Sequence, residues 1–187
     1  MKALVTLVTT PSKFYAVRER LEKIWPDRRN YPEIVDFDVV VGFCDIIIEA
    51  LVENLQELFD KVINKLIDMP ELSVLKTFIS LPVGEYLPTT QGESSSPALP
   101  TRRETTTGYV FVSVVPERVR YVYKAVQGIM GVSSADLLLG EYDLVAKCTV
   151  PLYLLPRKID EIQQIEGIKR TVTCLPVRVI EGLRPES

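Results

Sequence analysis

Histidine is missing from all 187 residues. Its absence removes the commonest general base near neutral pH, the commonest zinc and haem ligand, and every Ser–His or Cys–His nucleophile pair. Cysteine is scarce, with three in the chain. Cys44, Cys148 and Cys174 lack metal-ligand spacing and lie in apolar strand-like surroundings, so each reads as a buried, reduced thiol. No metal site and no cofactor is expected, and no Gly-rich phosphate loop is present. Positive charge is never concentrated: the net charge is −3, and no basic run exceeds Arg102-Arg103 or Lys169-Arg170. A phosphate-binding face needs grouped Lys and Arg, so direct nucleic-acid binding is not expected. No apolar run approaches the roughly 20 residues of a membrane span. The stretch after Lys2 is too short for a secretion signal and has no small-residue cleavage site. The expectation is a soluble, cytoplasmic chain with no membrane partner.

What the chain does hold is a repeat. Val39-Val-Val-Gly-Phe-Cys-Asp-Ile-Ile-Ile48 and Leu137-Leu-Leu-Gly-Glu-Tyr-Asp-Leu-Val-Ala146 are each an apolar run, then Gly-x-x-Asp, then a second apolar run. Gly42 and Gly140 suit the positive φ of a tight reversal, and Asp45 and Asp143 can cap it through nearby backbone N–H groups. Both stretches therefore read as strand–turn–strand. The likeness extends upstream. Ala3 to Val8 reads as a strand, followed by Pro11 and then Phe14, Val17, Leu21 and Ile24; Tyr109 to Val115 reads as a strand, followed by Pro116 and then Val119, Val122, Val126 and Ile129. Apolar steps of three, four and three place each set on one helical face, and proline suits the entry to both helices.

Downstream of the first hairpin, Leu55, Leu58, Phe59, Val62, Leu66 and Ile67 predict an amphipathic helix of about four turns, stopped by Pro70-Glu-Leu72. Val74 to Val83 follows as a strand. In the second half Pro151 and Pro156 delay the corresponding helix, Gly167 ends it, and Ile168 to Ile180 is the last strand, with Pro176 favouring an edge or bulge. Each half is thus β-α-β-β-α-β, a ferredoxin-like unit. The fold class is α+β, with two such repeats pairing as an intramolecular dimeric α/β barrel. The expected organisation is a first repeat over 1–84, a Pro-, Ser-, Thr- and Gly-rich linker over 85–107, and a second repeat over 108–183. The first repeat carries an insertion from Trp25 to Glu33, where Trp25 and Tyr31 could form an apolar lid.

Gly140-Glu-Tyr-Asp-Leu-Val145, with Gly131-Val132 before it and Gly167-Ile-Lys-Arg-Thr-Val-Thr173 after it, resembles the effector-binding (RAM) domain of the leucine-responsive regulator/AsnC transcription factors. The likeness covers Gly108 to about Ile180 well, and Lys2 to Val83 more loosely, through Gly42-Phe-Cys-Asp45 and Pro70-Glu-Leu72. It implies a dimeric α/β barrel, assembly of dimers into rings, and a small effector, mainly an amino acid, bound near the Gly-x-x-Asp hairpin. The usual helix-turn-helix is not seen ahead of the first repeat, which implies a stand-alone, tandemly duplicated version whose halves form a pseudo-dimer. Carried over by resemblance, the ligand-binding positions are Gly140, Tyr142, Asp143, Thr171 and Thr173 in the second half, and Gly42, Asp45 and Thr77 in the first. Asp143 can accept from an ammonium group; turn N–H groups and threonine hydroxyls can donate to a carboxylate. The same pattern also suits a plain stable turn, with Asp45 and Asp143 as caps and Tyr142 as a packing residue.

The leading functional expectation is a non-enzymatic module that senses a small molecule and self-assembles as a homo-oligomer of pseudo-dimers. It would modulate Lrp/AsnC-family relatives by co-assembly. Two alternatives stand beside it. One is a cofactor-independent enzyme on the same barrel scaffold, since fold alone does not decide function. The other is an ACT-like regulatory pair, which shares the β-α-β-β-α-β order.

Overall fold

A computed structural model describes residues 1–26, 30–81 and 105–177. Among them are eight strands in antiparallel arrangement with helices between them, an α+β architecture. The chain divides into two compact units: the described residues up to Ser80 together with Cys174–Val177, and Leu81 together with residues 105–173.

In the first unit β1 (Lys2–Thr9) leads to α1 (Phe14–Ile24), then β2 (Ile34–Val41) and β3 (Ile46–Leu51). A helical stretch follows, built from α2 (Leu55–Leu58), a wide turn (Phe59–Ile63) and α3 (Asn64–Leu66), before β4 (Leu72–Leu81). The strand order is β4-β1-β3-β2, the ferredoxin-like order, with Val5 opposite both Ile48 and Thr77. Strand periodicity sends Ala3, Val5, Leu7, Ile46, Ile48 and Ala50 to one face. There they bury against Val17 and Leu21 of α1 and against Leu58, Val62 and Leu66.

That second helix departs from its predicted face. Leu58, Val62 and Leu66 are buried, but Leu55, Phe59 and Ile67 are 60%, 47% and 60% exposed. The wide π-type turn explains this. A looser winding keeps residues four apart in phase, so the i, i+4, i+8 set takes the core, where a 3.6 period would have rotated it away. Asn54 caps the start, its side-chain oxygen accepting from the Glu57 N–H at 2.9 Å. Trp25 and Tyr31 of the insertion close the same core. Trp25 is buried, Tyr31 packs against the cluster, and the Lys65 ammonium lies 5.9 Å and 4.8 Å from the two ring centres. Residues 27–29 of the insertion lie outside the described residues.

The second unit repeats the plan. β5 (Thr105–Val114), α4 (Val119–Gln127) after a single 3-10 turn at Pro116–Arg118, β6 (Val132–Leu139), β7 (Leu144–Pro151), α5 (Leu155–Gln163) and β8 (Ile168–Pro176) run in order β8-β5-β7-β6. Pro116 stands at the entry to its helical segment, as the spacing predicts, whereas Pro11 lies in the turn three residues ahead of α1, and α5 starts at Leu155, so Pro156 falls within its first turn and not ahead of it. Two boundaries differ from the sequence reading. β5 begins at Thr105, inside the stretch read as linker, because three β-branched threonines pair with Pro151, Val150 and Thr149 of β7. The end of β8 belongs to the first unit, where Pro176 and Leu175 pair with Val40 and Val41 of β2. Residues 82–84 of the first repeat, 85–104 of the expected linker and 178–183 of the second repeat lie outside the described residues.

Candidate functional site

Both Gly-x-x-Asp segments form the hairpins expected, and the two share a set of hydrogen bonds. In the first, the Val40 N–H donates to the Asp45 carbonyl at 2.7 Å, and the Asp45 N–H donates to the Leu7 carbonyl at 2.9 Å. In the second, Leu138 N–H donates to the Asp143 carbonyl at 2.9 Å and Asp143 N–H to the Val112 carbonyl at 3.0 Å. Each aspartate then reaches across to the end of its unit's first strand. Asp45 Oδ2 accepts from the Thr9 N–H at 2.7 Å, and Asp143 Oδ2 accepts from the Val114 N–H at 2.7 Å. The carboxylate thus satisfies an N–H where the strand ladder stops, and a charged acceptor makes that bond stronger than a neutral one. Only the first hairpin adds a hydroxyl: Thr9 Oγ1 donates to Asp45 Oδ2 at 2.9 Å.

The glycines differ. Gly140 has φ 150°, a region open to glycine, as predicted. Gly42 is not among the positive-φ residues, which corrects the expectation for the first hairpin. There the reversal is made without a left-handed residue at that position.

At the first hairpin the chain leaves an open cleft of about 490 Å³. Its walls are apolar, from Val8, Phe14, Val40, Val41 and Val177, and its polar groups come from Thr9, Ser12 and Asp45. Among the described residues, Asp45 is the one ionisable side chain lining it. The turn from β1 into α1 forms one wall and is held by Thr10 N–H donating to the Glu71 carbonyl at 2.8 Å and Lys13 N–H to the Thr10 carbonyl at 3.0 Å. Ser12 in that turn has φ 67°, the one non-glycine residue with positive φ among the described residues. Left-handed backbone costs an L-residue energy and concentrates at binding sites.

The other residues singled out from the sequence lie elsewhere. Tyr142 is buried, its ring 5.4 Å from that of Phe111. Thr171 Oγ1 accepts from Gln163 Nε2 at 2.8 Å, and Thr173 is half-buried on β8. Thr77 sits in the middle of β4 opposite Val5, away from the hairpin end of β1. Gly42 is exposed in the turn. The structure therefore places Asp45, of the eight candidates, on the cleft. The sequence reading missed Thr9, Ser12 and Phe14 as site residues. Their signal was Thr9-Thr10-Pro11-Ser12 directly after a strand, a cluster of turn-forming residues that builds one wall of a concavity. Among the described residues no group of three carboxylate or thiol ligands is gathered to hold a metal. No helix among them is long and apolar enough to cross a membrane.

No protein-family model matches the sequence, and no curated protein matches it. Solved structures do. The siroheme decarboxylase NirDL is similar over 94% of this chain and 71% of its own, with a TM-score of 0.58 at 12% identity. Its co-complex with an iron-uroporphyrin III analogue gives a TM-score of 0.57. Shorter proteins match less than half of the chain. FFRP-DM1 covers 43% of it and 97% of itself at 29% identity and a TM-score of 0.35. TTHA0845 from Thermus thermophilus covers 44% of it and 98% of itself at 25% identity and a TM-score of 0.37. The expectation of a non-enzymatic chain is corrected here, because the fold that matches nearly the whole chain is also the fold of an enzyme. The chain shares the fold of NirDL, built from β-α-β-β-α-β units.

Proposed function

We propose that this protein binds a small amine-bearing molecule in the cleft beside Asp45 and acts on it as an enzyme that needs no cofactor. The cleft carries the reading. Its volume lies within the range of small-molecule sites, its walls suit an apolar body, and its charged group is the Asp45 carboxylate, bonded by the Thr9 hydroxyl, with Ser12 also in the lining. A carboxylate with no lining cation favours an ammonium group and disfavours a ligand rich in carboxylates. An amino acid or a related amine fits that chemistry better than a polyanionic tetrapyrrole. The whole-chain similarity to siroheme decarboxylase supports the scaffold as one on which catalysis occurs, while the choice of substrate rests on the cleft itself.

The two units descend, on this reading, from one duplicated gene, which their matched hydrogen bonds at Asp45 and Asp143 support. Their sheets would pair within the chain as an α/β barrel. The second reading is regulatory: ligand binding without turnover, in a homo-oligomer, with Lrp/AsnC-like relatives as further partners. The observation favouring it is that Asp45 already accepts two hydrogen bonds from Thr9, which suits a fixed binding group better than a proton-transfer group.

The experiment is thermal-shift screening of the full chain against the twenty amino acids, simple amines and porphyrin carboxylates, followed by mass spectrometry of each binder after incubation. An amine that raises Tm in the wild type but not in Asp45→Ala, and is converted, establishes the enzyme. Binding without conversion establishes the regulatory reading. Binding by porphyrin carboxylates alone, or by nothing, overturns the assignment of the cleft.

A further inference from the structure

Two of the three cysteines meet. Cys44 Sγ lies 3.8 Å from Cys174 Sγ, across 130 residues of sequence, and both side chains are buried, 2% and 0% exposed. A disulfide has its sulfurs about 2.05 Å apart. The two sulfurs already face one another, so side-chain rotation with a small backbone shift can close the remaining gap. The third cysteine, Cys148, is buried in the second unit's strand β7 with Lys147 and Thr149 as its neighbours in the chain.

The partners of each sulfur are unequal. The hydrogen bond from the Cys44 thiol, helped by the backbone N–H groups of Phe43 and Cys44, holds the Cys174 pKa below the ordinary thiol value; burial opposes them. Cys44 is pushed far above it by the hydrogen bond to Cys174 and by burial. Of the two sulfurs Cys174 is thus the one that gives up its proton more readily, and the thiolate is the form that reacts with oxidants.

We propose that Cys44 and Cys174 are a redox modification site, joined by a reversible disulfide when hydrogen peroxide oxidises the protein. The Cys174 thiolate attacks one peroxide oxygen; the O–O bond breaks, and the leaving hydroxide takes up a proton to become water. Cys174 is then a sulfenic acid. The Cys44 sulfur attacks it, the S–S bond forms as the S–O bond breaks, and a second water leaves with the proton from Cys44. Two thiols lose two electrons, and one peroxide accepts them.

The place of the bond gives it a consequence. Cys44 immediately precedes Asp45, and Cys174 lies three residues before Val177; both of those residues line the cleft. The end of β8 is held on β2 by the pairs Val40–Pro176 and Val41–Leu175, and Val40 and Val41 are cleft residues as well. The disulfide fastens the Asp45 hairpin to the opposite wall. Local opening of this strand end admits the oxidant.

The test uses the full chain. Protein treated with hydrogen peroxide, then denatured and alkylated without reductant, is expected to be about 2 Da lighter before alkylation, with one alkylated cysteine in place of the three it carries when reduced. A proteolytic fragment should join the Cys44 and Cys174 peptides, and dithiothreitol should restore all three thiols. Closing so long a loop should raise Tm by roughly 10 °C in the wild type and leave Cys44→Ala and Cys174→Ala unmoved. Three alkylated thiols after peroxide, a bond that uses Cys148, or a bond between chains would overturn the proposal. The mass measurement on the wild type decides this even where a variant does not fold. Coupling to the cleft is read separately, from the affinity of the amine panel for oxidised and reduced protein. A disulfide that forms and leaves every affinity unchanged overturns the coupling alone, whereas a panel that never binds overturns the cleft assignment without touching the disulfide.

Discussion

The two hairpins are the same device set in different surroundings. At the first, Asp45 accepts from both the N–H and the hydroxyl of Thr9 and faces a cleft. At the second, Asp143 accepts from the Val114 N–H, where valine offers no hydroxyl. The position between glycine and aspartate differs too. Cys44 meets a second thiol, while Tyr142 fills its place in the second hairpin and packs on Phe111. Phe111 itself stands one residue before Val112, as Thr6 stands one residue before Leu7. The second unit has invested this position in aromatic packing; the first keeps small and polar groups there. The comparison teaches that a shared turn fixes a backbone, and that its neighbours decide whether the turn becomes core or site.

The largest test of that contrast is Phe111→Ala. Phe111 is fully buried and touches the Tyr142 ring, so its loss should cost about 3–5 kcal/mol in urea denaturation. Thr6→Ala, at the matching place in the first unit, should cost about 1 kcal/mol or less. Equal losses would break the contrast.

Next comes Cys148, which faces Gly108 across β7 and β5, where Ala50 faces Ala3 in the first unit. Burial pushes the Cys148 thiol up to about 11. The folded pKa exceeds the unfolded one near 9, so the stabilisation is complete below pH 9 and is lost as pH rises towards 11. The loss should be about 2–3 kcal/mol. Cys148→Ala should flatten that part of the stability–pH curve. An unchanged alkaline slope would show that Cys148 is not its source.

Asp45→Asn and Asp143→Asn should each cost about 2 kcal/mol, the larger loss falling on Asp45 because it accepts two bonds. A larger loss at Asp143 would reverse the assigned order. The finest test is Thr9→Val, which makes the first hairpin like the second and removes one hydroxyl bond. It should cost about 1 kcal/mol, and a double-mutant cycle with Asp45→Asn should recover most of that as coupling.

Much of the fold was legible because its signals are local. Short apolar runs gave β1, β3, β5 and β7; the three-four-three steps gave α1 and α4; Gly-x-x-Asp gave both hairpins. The helical stretch after Asn54 was legible in extent and in half of its face: Leu58, Val62 and Leu66 turn inward as expected, while Leu55, Phe59 and Ile67 stay exposed because of a wide turn that nothing in the residue spacing announces. The site was less legible. Asp45 was found by its hairpin, but Thr9, Ser12 and Phe14 join it because β1 runs beside β3 and the turn into α1 folds back over them. The sequence left the role of the insertion open, with a lid as one option; in the structure Trp25 closes a core.

The residues in order determined the two β-α-β-β-α-β units, their twin turns and the exclusion of histidine chemistry, because periodicity, turn propensity and composition act over a few neighbours. Tertiary structure alone decided which aspartate borders a cleft, and that Cys44 and Cys174 touch. Those juxtapositions depend on strand order and register, which bring together residues that have no influence on one another along the chain.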